Sequence, residues 1–407
     1  MPNTRVSRFG LWLIGAGGAV GATVALGIAA LSKRLIDTTG LVTALPQFSH
    51  LDLIDPSHIV IGGHEIRTTT LQESLRDLQS SSGIVPDRLL EQCSSALDQT
   101  QARIKPGIMC GPIPTRTDAP VSTHVQRADT PADLIEHVTA DLNAFRLDNN
   151  LAHVVVVNVA SCEPAFEPHP AHRDWPTLQQ AMNRPDCTLL PASSVYALGA
   201  LAANCSYINF TPSTGMSLPA IEQFARSRDV LHMGRDGKTG ETLLKSVLAP
   251  MFAGRNLRIR SWVGHNVLGN DDGRTLADPA VKASKLRSKD AVLPAVLGYE
   301  PVTRTTIEYV PSLGDWKTAW DLVHFEGFFA TQMRLELTWT GSDSMLAAPL
   351  IIDLARLTHL EHARGRRGPM PHLACFFKDP DGVADRSHFT QWESLLEHVT
   401  TRVDPPK

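Results

Sequence analysis

Hydrophobic positions change their spacing near residue 250. Before that point, short apolar runs alternate with amphipathic or small-residue helical segments; the runs are 11–14, 59–62, 154–157 and 207–210. Continuous apolar runs predict buried strands, so this part is typical of an α/β fold with a mostly parallel sheet. Beyond residue 250, apolar and polar residues alternate with a period of two at 257–263, 305–310 and 334–339. That pattern predicts half-exposed, antiparallel strands of a second unit.

The helices follow from periodicity and end signals. Thr130 and Pro131 form an N-cap and a first-turn proline, which predicts a helix over 131–148. We also expect helices over 70–105, 193–203 and 345–362. Segments 33–58 and 106–130 are predicted to be mainly loop.

Residues 10–31 read GLWLIGAGGAVGATVALGIAAL, an uncharged run of 22 residues. One interpretation is a signal peptide or membrane helix. The glycines favour another, because Gly15, Gly17, Gly18 and Gly21 cluster between a short strand and a small-residue helix. A strand, a glycine turn and a helix are typical of a dinucleotide site, where the helix N-terminus meets the pyrophosphate. The pattern G-x-G-G-x-x-G is a variant of the common fingerprint, since Val20 stands where glycine is usual.

Two further segments suggest sites for ligand groups. Glu65 follows the second strand, where such folds bind the adenosine ribose, although a solvated loop carboxylate explains it equally well. The segment 232–242, HMGRDGKTGET, lacks the spacing of a P-loop because His232 stands where glycine is needed. A glycine-rich turn with Thr239 as N-cap still predicts a phosphate-sized anion site, or else only a well-capped helix.

The segment 265–273, HNVLGNDDG, is dense in amides and carboxylates. It is either an ordinary turn or a site for hydroxyl groups or a hard cation. Lysines at several later positions are either solvated charges or, if they converge in a pocket, proton carriers.

Composition narrows the class of protein. The 407 residues carry a net charge of −4 and are 43% hydrophobic, which excludes a disordered chain and gives no reason to expect nucleic acid or an anionic membrane as partner. The six cysteines lack C-x-x-C spacing, so a reducing compartment fits better than a disulfide framework.

Seven segments, taken together and in this order, resemble the myo-inositol-1-phosphate synthase family, of bacterial or archaeal type. They are GAGGAVG (15–21), INFTPSTG (208–215), GRDGKTGET (234–242), HNVLGNDDG (265–273), SKLRSK (284–289), YVPSLGDWK (309–317) and SDSMLAAPLIIDL (342–354).

The resemblance implies an enzyme, inositol-3-phosphate synthase, that converts glucose 6-phosphate to myo-inositol 1-phosphate without net redox change. NAD would oxidise C5, an enolate would attack C1, and the hydride would return. The resemblance also implies a cytoplasmic homotetramer in inositol and phospholipid biosynthesis, and it leaves a divalent cation open.

The implied fold is α/β: a Rossmann-type NAD-binding domain at 1–245, an inserted α+β catalytic domain with a mixed sheet at 246–343, and a C-terminal segment at 344–407 that returns to the first domain.

The resemblance assigns roles to individual residues. The catalytic residues are Lys285, Lys289, Lys317 and Lys378. The cofactor would contact Gly15, Gly17, Gly18, Ala19, Val20, Gly21, Glu65, Ser161, Asp236, Asp315 and Asp343. The substrate would contact Asn209, Thr239, Gly240, Thr242, Asn266, Leu268 and Asn270. The predicted metal ligand is Asp272.

Three positions depart from the family pattern: Arg235 in place of aspartate, Glu241 in place of the eukaryotic glutamine, and Asp271 in place of asparagine. They put the cation requirement in question. The alternatives are another NAD(P)-dependent oxidoreductase acting on a phosphorylated sugar or an amino-acid-derived substrate, and an inactive paralogue that binds NAD or a sugar phosphate.

Overall fold

The computed structural model describes residues 8–110, 125–164, 166–185, 188–270, 273–274 and 292–401. The strands are β1 (Phe9–Ile14), β2 (Ile59–Glu65), β3 (Ile104–Pro106), β4 (His153–Asn158), β5 (Ser206–Asn209), β6 (His232–Gly234), β7 (Arg258–Leu268), β8 (Val302–Tyr309), β9 (Trp316–Glu326) and β10 (Gln332–Ser342). The helices are α1 (Ala19–Ser32), α2 (Leu71–Ser82), α3 (Asp87–Gln101), α4 (Pro131–Asp148), α5 (Trp175–Ala181), α6 (Ala192–Ala202), α7 (Pro219–Arg228), α8 (Gly240–Gly254), α9 (Val292–Leu297), α10 (Asp343–Ala363) and α11 (His388–Thr400). Short 3-10 helices include Val42–Ala44, Pro46–Phe48, Pro56–His58 and Pro371–Phe376.

Six parallel strands form the larger sheet in the order β3-β2-β1-β4-β5-β6. Every residue of β1 and β4 is buried, which explains why their sequences are apolar on both faces. The strand order reverses between β1 and β4, and ligands of doubly wound sheets bind at the carboxyl ends of the strands at this point. The predicted α/β fold is confirmed.

Helices cover both faces of this sheet. One hydrophobic cluster joins it to α1, α2, α3, α10 and α11, and a second joins it to α4, α6 and α7. Within the described ranges, every helix is too short or too polar to cross a bilayer. The apolar run at 10–31 is therefore a buried strand, a turn and a helix.

The smaller sheet has the order β10-β9-β7-β8. Its inner face packs on α8 and α9 through residues such as Phe252, Trp262 and Val323. Strand β7 pairs antiparallel with β9 but parallel with β8, so the antiparallel pairing expected from the alternation holds for β7, β9 and β10 but not for β8, and the predicted mixed sheet is confirmed. The proposed boundary at residue 245 falls inside α8, and the domain limits stay a prediction.

The single helix expected over 70–105 is wrong. Gly83 ends α2 in the left-handed region at φ 65°, and α3 starts after Pro86. Residues 104–106 then form the edge strand β3. Both interruptions carry recognisable signals, a C-terminal glycine and a proline.

Candidate functional site

The glycine turn lies at the carboxyl end of β1, at the reversal point of the sheet. Gly15 has φ 83°, a conformation that other residues rarely adopt. Within the described part of the chain, no side chain caps α1 at Gly18, so Ala19 and Val20 begin the helix with amide groups left for a ligand. An uncapped helix N-terminus at this edge fits the pyrophosphate of a dinucleotide.

Glu65, the last residue of β2, is buried beside this turn. Its Oε2 accepts a hydrogen bond from the amide of Gly17 at 2.8 Å, and its Oε1 lies 3.2 Å from Nε of Arg67. A Cβ on Gly17 would approach Glu65 Oε2 to 2.9 Å, so the close contact requires glycine. The carboxylate thus lies at the turn rather than in a solvated loop.

Strands β4 and β5 end in the amide side chains of Asn158 and Asn209. Asn158 Nδ2 donates to Asn209 Oδ1 at 3.3 Å, and Asn209 Nδ2 donates to the carbonyl of Ser213 at 2.7 Å. Both asparagines are buried, whereas Ser161, just beyond β4, is exposed. Through these contacts, Asn209 holds the loop that follows β5 in place.

The turn after β6 carries a buried ion pair. Lys378 Nζ donates to Asp236 Oδ1 at 2.8 Å, and both side chains are less than one tenth exposed. Asp236 has φ 60°, and its backbone carbonyl accepts from the amide of Lys378 at 2.6 Å. The structure therefore joins two residues that lie 142 positions apart in the sequence.

The N-terminus of α8 follows this turn. Thr239 is the N-cap residue by position, but its side chain makes no capping hydrogen bond to the residues that the structure describes, contrary to the expectation. Thr242, in the first turn, is 1% exposed, and its Oγ1 has no hydrogen-bond partner among the described residues. Gly240 has φ 56°, and a Cβ there would lie 3.8 Å from Nε1 of Trp339. Uncapped amides and an unpaired buried hydroxyl fit an anion of phosphate size.

Another polar cluster surrounds the N-terminus of α10. Asp315 is 1% exposed and accepts hydrogen bonds from Ser342, Ser344 and, at 3.4 Å, Asn270. Burial raises the pKa of Asp315, while the serine hydrogen bonds oppose that rise. Lys317 Nζ lies 3.3 Å from Asp343 Oδ2, so a lysine and two carboxylates meet here.

Two predicted substrate contacts lie inside β7. Asn266 is fully buried and donates to the carbonyl of Thr306 at 3.3 Å. Leu268 packs against Cys162, in the loop beyond β4, and against Ile307 of β8. The predicted residues Asp272, Lys285 and Lys289 lie outside the described residues.

Sequence reasoning missed several residues that hold these groups. Ser342 and Ser344 flank Asp343 and bind Asp315, and their spacing in S-D-S was the available signal. Lys238 is buried and donates to Gln391 at 2.5 Å. Burial lowers its pKa to about 8. Nothing in the sequence links Lys238 to a residue of α11.

One further group of possible ligands occurs in the described part of the chain. Atoms of Glu361, His372 and His398 lie within 4.8 Å of one another. Arg366 lies 3.0 Å from Glu361 Oε2 and also contacts His398. The guanidinium already balances the carboxylate, so this cluster is better described as an ion-pair network.

Comparison with known proteins decides the family. The family model described as NAD_binding_5, Myo-inositol-1-phosphate synthase, matches residues 9–399. The chain belongs to the myo-inositol-1-phosphate synthase family. The predicted family is confirmed, and so is NAD as the cofactor, because the model is that of an NAD-binding family.

Relatives and solved structures agree with this assignment. Inositol-3-phosphate synthase 1 of Bacteroides thetaiotaomicron is 29% identical over 97% of this chain and 96% of that protein. The enzyme of Trypanosoma brucei brucei is 29% identical over 88% of this chain and 73% of that protein. The fold matches inositol-3-phosphate synthase of Caenorhabditis elegans with a TM-score of 0.86 at 23% identity, covering 98% and 87% of the two chains. It also matches a myo-inositol-1-phosphate synthase-related protein of Thermotoga maritima with a TM-score of 0.77 at 20% identity, covering 98% and 100%.

Proposed function

We propose that this protein is an NAD-dependent inositol-3-phosphate synthase that converts glucose 6-phosphate to myo-inositol 1-phosphate. The observation that carries the proposal is the family match over residues 9–399, which includes the glycine turn, the α8 N-terminus, Lys317 and Lys378. Bound NAD supplies the chemistry of taking a hydride from C5 of the sugar and returning it after ring closure.

The cofactor would lie along the carboxyl edge of the larger sheet. The amides at Ala19, Val20 and Gly21 would hold its pyrophosphate above the turn of Gly15, Gly17 and Gly18, where the Gly18 amide donates to the Gly15 carbonyl at 3.1 Å. Glu65 would accept a hydrogen bond from the adenosine ribose. We also assign Ser161, Asp236, Asp315 and Asp343 to contacts with the cofactor.

The substrate phosphate would bind at the N-terminus of α8. Thr239 and Gly240 would offer backbone amides, and the Thr242 hydroxyl would donate the hydrogen bond that it lacks among the described residues. The helix dipole and buried Lys238 add positive potential to this position. Side chains of Asn209, Asn266 and Asn270, with the backbone at Leu268, would bind sugar hydroxyls.

Lysines would move the protons. Loss of a proton at C6 leaves negative charge on the enolate oxygen, which a nearby ammonium stabilises. Lys317 and Lys378 each have a carboxylate partner within 3.3 Å, so each can hold its proton until the sugar oxygen competes for it. We assign the same roles to Lys285 and Lys289 from the family pattern.

We extend the proposal to assembly, domains and location. Large apolar side chains are exposed on the smaller sheet, including Trp316, Trp320, Met333 and Val302, and they support a homo-oligomer of four copies through the inserted domain at 246–343. The cysteines at 93, 110, 162, 205 and 375 form no disulfide, in keeping with a cytoplasmic enzyme.

The test is incubation of the purified protein with glucose 6-phosphate and catalytic NAD, read by phosphorus and proton NMR. An inositol monophosphate without accumulated NADH supports the synthase. Accumulated NADH with a lactone or open-chain product would replace it with a simple dehydrogenase. Repeating the reaction with and without a divalent cation tests Asp272 as a metal ligand.

A further inference from the structure

Two short segments carry neighbouring ion pairs close to the proposed reaction centre. In the first pair, Arg235 donates two hydrogen bonds to Asp379 Oδ2, from Nε at 3.0 Å and from Nη2 at 2.6 Å. The adjacent residues form the second pair, in which Lys378 Nζ lies 2.8 Å from Asp236 Oδ1. Both segments carry a cation followed by an anion, and because they run antiparallel each charge meets the opposite charge of the other segment.

The backbones of these segments form an antiparallel ladder. The amide of Arg235 donates to the carbonyl of Asp379 at 2.9 Å, and the amide of Asp379 donates back at 3.2 Å. The amide of Lys238 donates to the carbonyl of Phe376 at 2.7 Å, and Gly237 pairs with Phe377. The ladder therefore attaches the C-terminal segment to the turn that follows β6.

Register decides where Lys378 points. Lys378 is held at Asp236 by two contacts that depend on this pairing, from its amide to the Asp236 carbonyl and from its Nζ to the carboxylate, so a slip of one residue would move Lys378 away from Asp236. The Arg235–Asp379 pair opposes such a slip, because it would lose two charge-assisted hydrogen bonds.

We propose that Arg235 and Asp379 are positioning residues that lock the register of this ladder and so hold Lys378 in its place for proton transfer. The role of Lys378 in proton transfer rests on the proposed function. The effect of the Arg235–Asp379 pair on the register of the two segments does not, because it concerns the fold alone. Arg235 occupies the position where the family pattern led us to expect aspartate, and an aspartate there would face Asp379 with like charge.

Arg386 provides a matched control. It binds the other oxygen of the same carboxylate, with Nη2 at 2.7 Å from Asp379 Oδ1. Its Nη1 donates to the carbonyl of Val383 at 2.8 Å, so it stabilises its own loop, and among the described residues it makes no hydrogen bond to the turn after β6. Removing Arg386 takes one guanidinium away from Asp379, as removing Arg235 does, but it leaves the Arg235–Asp379 pair between the two segments intact.

The experiment compares Arg235→Ala, Arg235→Lys and Arg386→Ala in the full-length protein. Backbone hydrogen exchange is measured for peptides covering 376–381, and steady-state turnover is measured with glucose 6-phosphate and NAD. We expect Arg235→Ala to speed exchange in 376–381 and to lower kcat by about tenfold or more, because small displacements of reacting groups are costly. KM for NAD should change less than kcat, because the glycine turn is untouched and only the contact of Asp236 lies in the loosened segment. Arg235→Lys should fall between this variant and the unmodified protein, and Arg386→Ala should keep both readings close to those of the unmodified protein.

Two results would overturn the inference: unchanged exchange and unchanged kcat in Arg235→Ala, or equal effects of Arg235→Ala and Arg386→Ala. If Arg235→Ala does not fold, Arg235→Lys and Arg386→Ala decide the question, since the lysine keeps the charge but loses the fork. If the unmodified protein makes no inositol monophosphate, the proposed function fails, and the exchange comparison still decides whether Arg235 locks the register.

Discussion

Replacing Thr242 with valine tests two effects of its hydroxyl separately: a loss of folding stability when the hydroxyl is unpaired, and a gain in affinity when it binds the substrate phosphate. The Thr242 side chain is buried, and Oγ1 has no hydrogen-bond partner among the described residues. An unsatisfied buried hydroxyl costs about 1–3 kcal/mol, and valine has nearly the same shape. Without ligand, Thr242→Val should therefore raise the free energy of unfolding. At ~2.1 cal/mol/K per residue, a gain of about 1–2 kcal/mol corresponds to a Tm increase of roughly 1–2 °C for a chain of this length.

When substrate is present, the same substitution should be unfavourable, because it weakens binding. A hydrogen bond to a charged group contributes about 1.5–3 kcal/mol, so losing it should raise KM for glucose 6-phosphate about 10- to 150-fold. The assay combines thermal unfolding, with and without glucose 6-phosphate, and initial rates of inositol phosphate formation. Added glucose 6-phosphate should stabilise the unmodified protein more than the variant.

Thr358→Val is the control for this prediction. Thr358 lies in α10, is fully buried, and also has an Oγ1 without a partner in the described ranges. It should give a similar stabilisation and leave KM unchanged. The assignment of α8 as the phosphate site would be refuted if Thr242→Val lost stability without ligand and kept its KM.

Other predictions concern catalysis, the cofactor and acidity. Lys317→Ala and Lys378→Ala should each lower kcat by about 10²-fold or more while NAD affinity, measured by equilibrium dialysis, stays the same; unchanged turnover would remove the proton-carrying role. Glu65→Ala should weaken NAD binding by about tenfold, because both a ribose contact and the anchor of Gly17 are lost; calorimetric titration measures this, and unaltered affinity would contradict the assignment. Burial lowers the pKa of His359 to about 4 and of His372 to about 3, so both bind a proton only on unfolding once the pH falls below about 6.5. From pH ~6.5 towards ~4 each histidine should lower the free energy of unfolding by up to about 1.4 kcal/mol per pH unit, while Asp353 and Asp381, whose pKa burial raises to about 6, act in the opposite sense. The test is therefore the change in urea midpoint between about pH 7 and 5 in His372→Gln against the unmodified protein, and equal changes would disprove this.

Local patterns along the chain predict the parallel sheet and the glycine turn because burial on both faces forces β1 and β4 to be apolar. Glu65 was ambiguous from its position alone, since only the folded chain brings it to Gly17. Gly83 is a recognisable helix end, but the helix-forming residues on both sides of it predict one continuous helix.

The polar clusters were harder to predict because their partners are distant in sequence. The ladder between 235–238 and 376–379 has no periodic signal, and it forms only because β6 is the edge strand of the larger sheet. Lys378 was found through its resemblance to a family motif, but its partner Asp236 follows from tertiary structure. The same is true of Lys317, whose place beside Asp343 depends on the pairing of β9 with β10.

The contact between Glu65 and Arg67 has a consequence for the choice between NAD and its 2′-phosphorylated form, NADP. A carboxylate at the adenosine ribose repels a 2′-phosphate, whereas a guanidinium attracts one. Both groups are present here, and the carboxylate holds the guanidinium at 3.2 Å. If Glu65 binds the adenosine ribose as proposed, its carboxylate favours NAD over NADP. Replacing Glu65 would then remove the repulsion of a 2′-phosphate beside an arginine, so a single substitution should shift the preference of this site towards NADP.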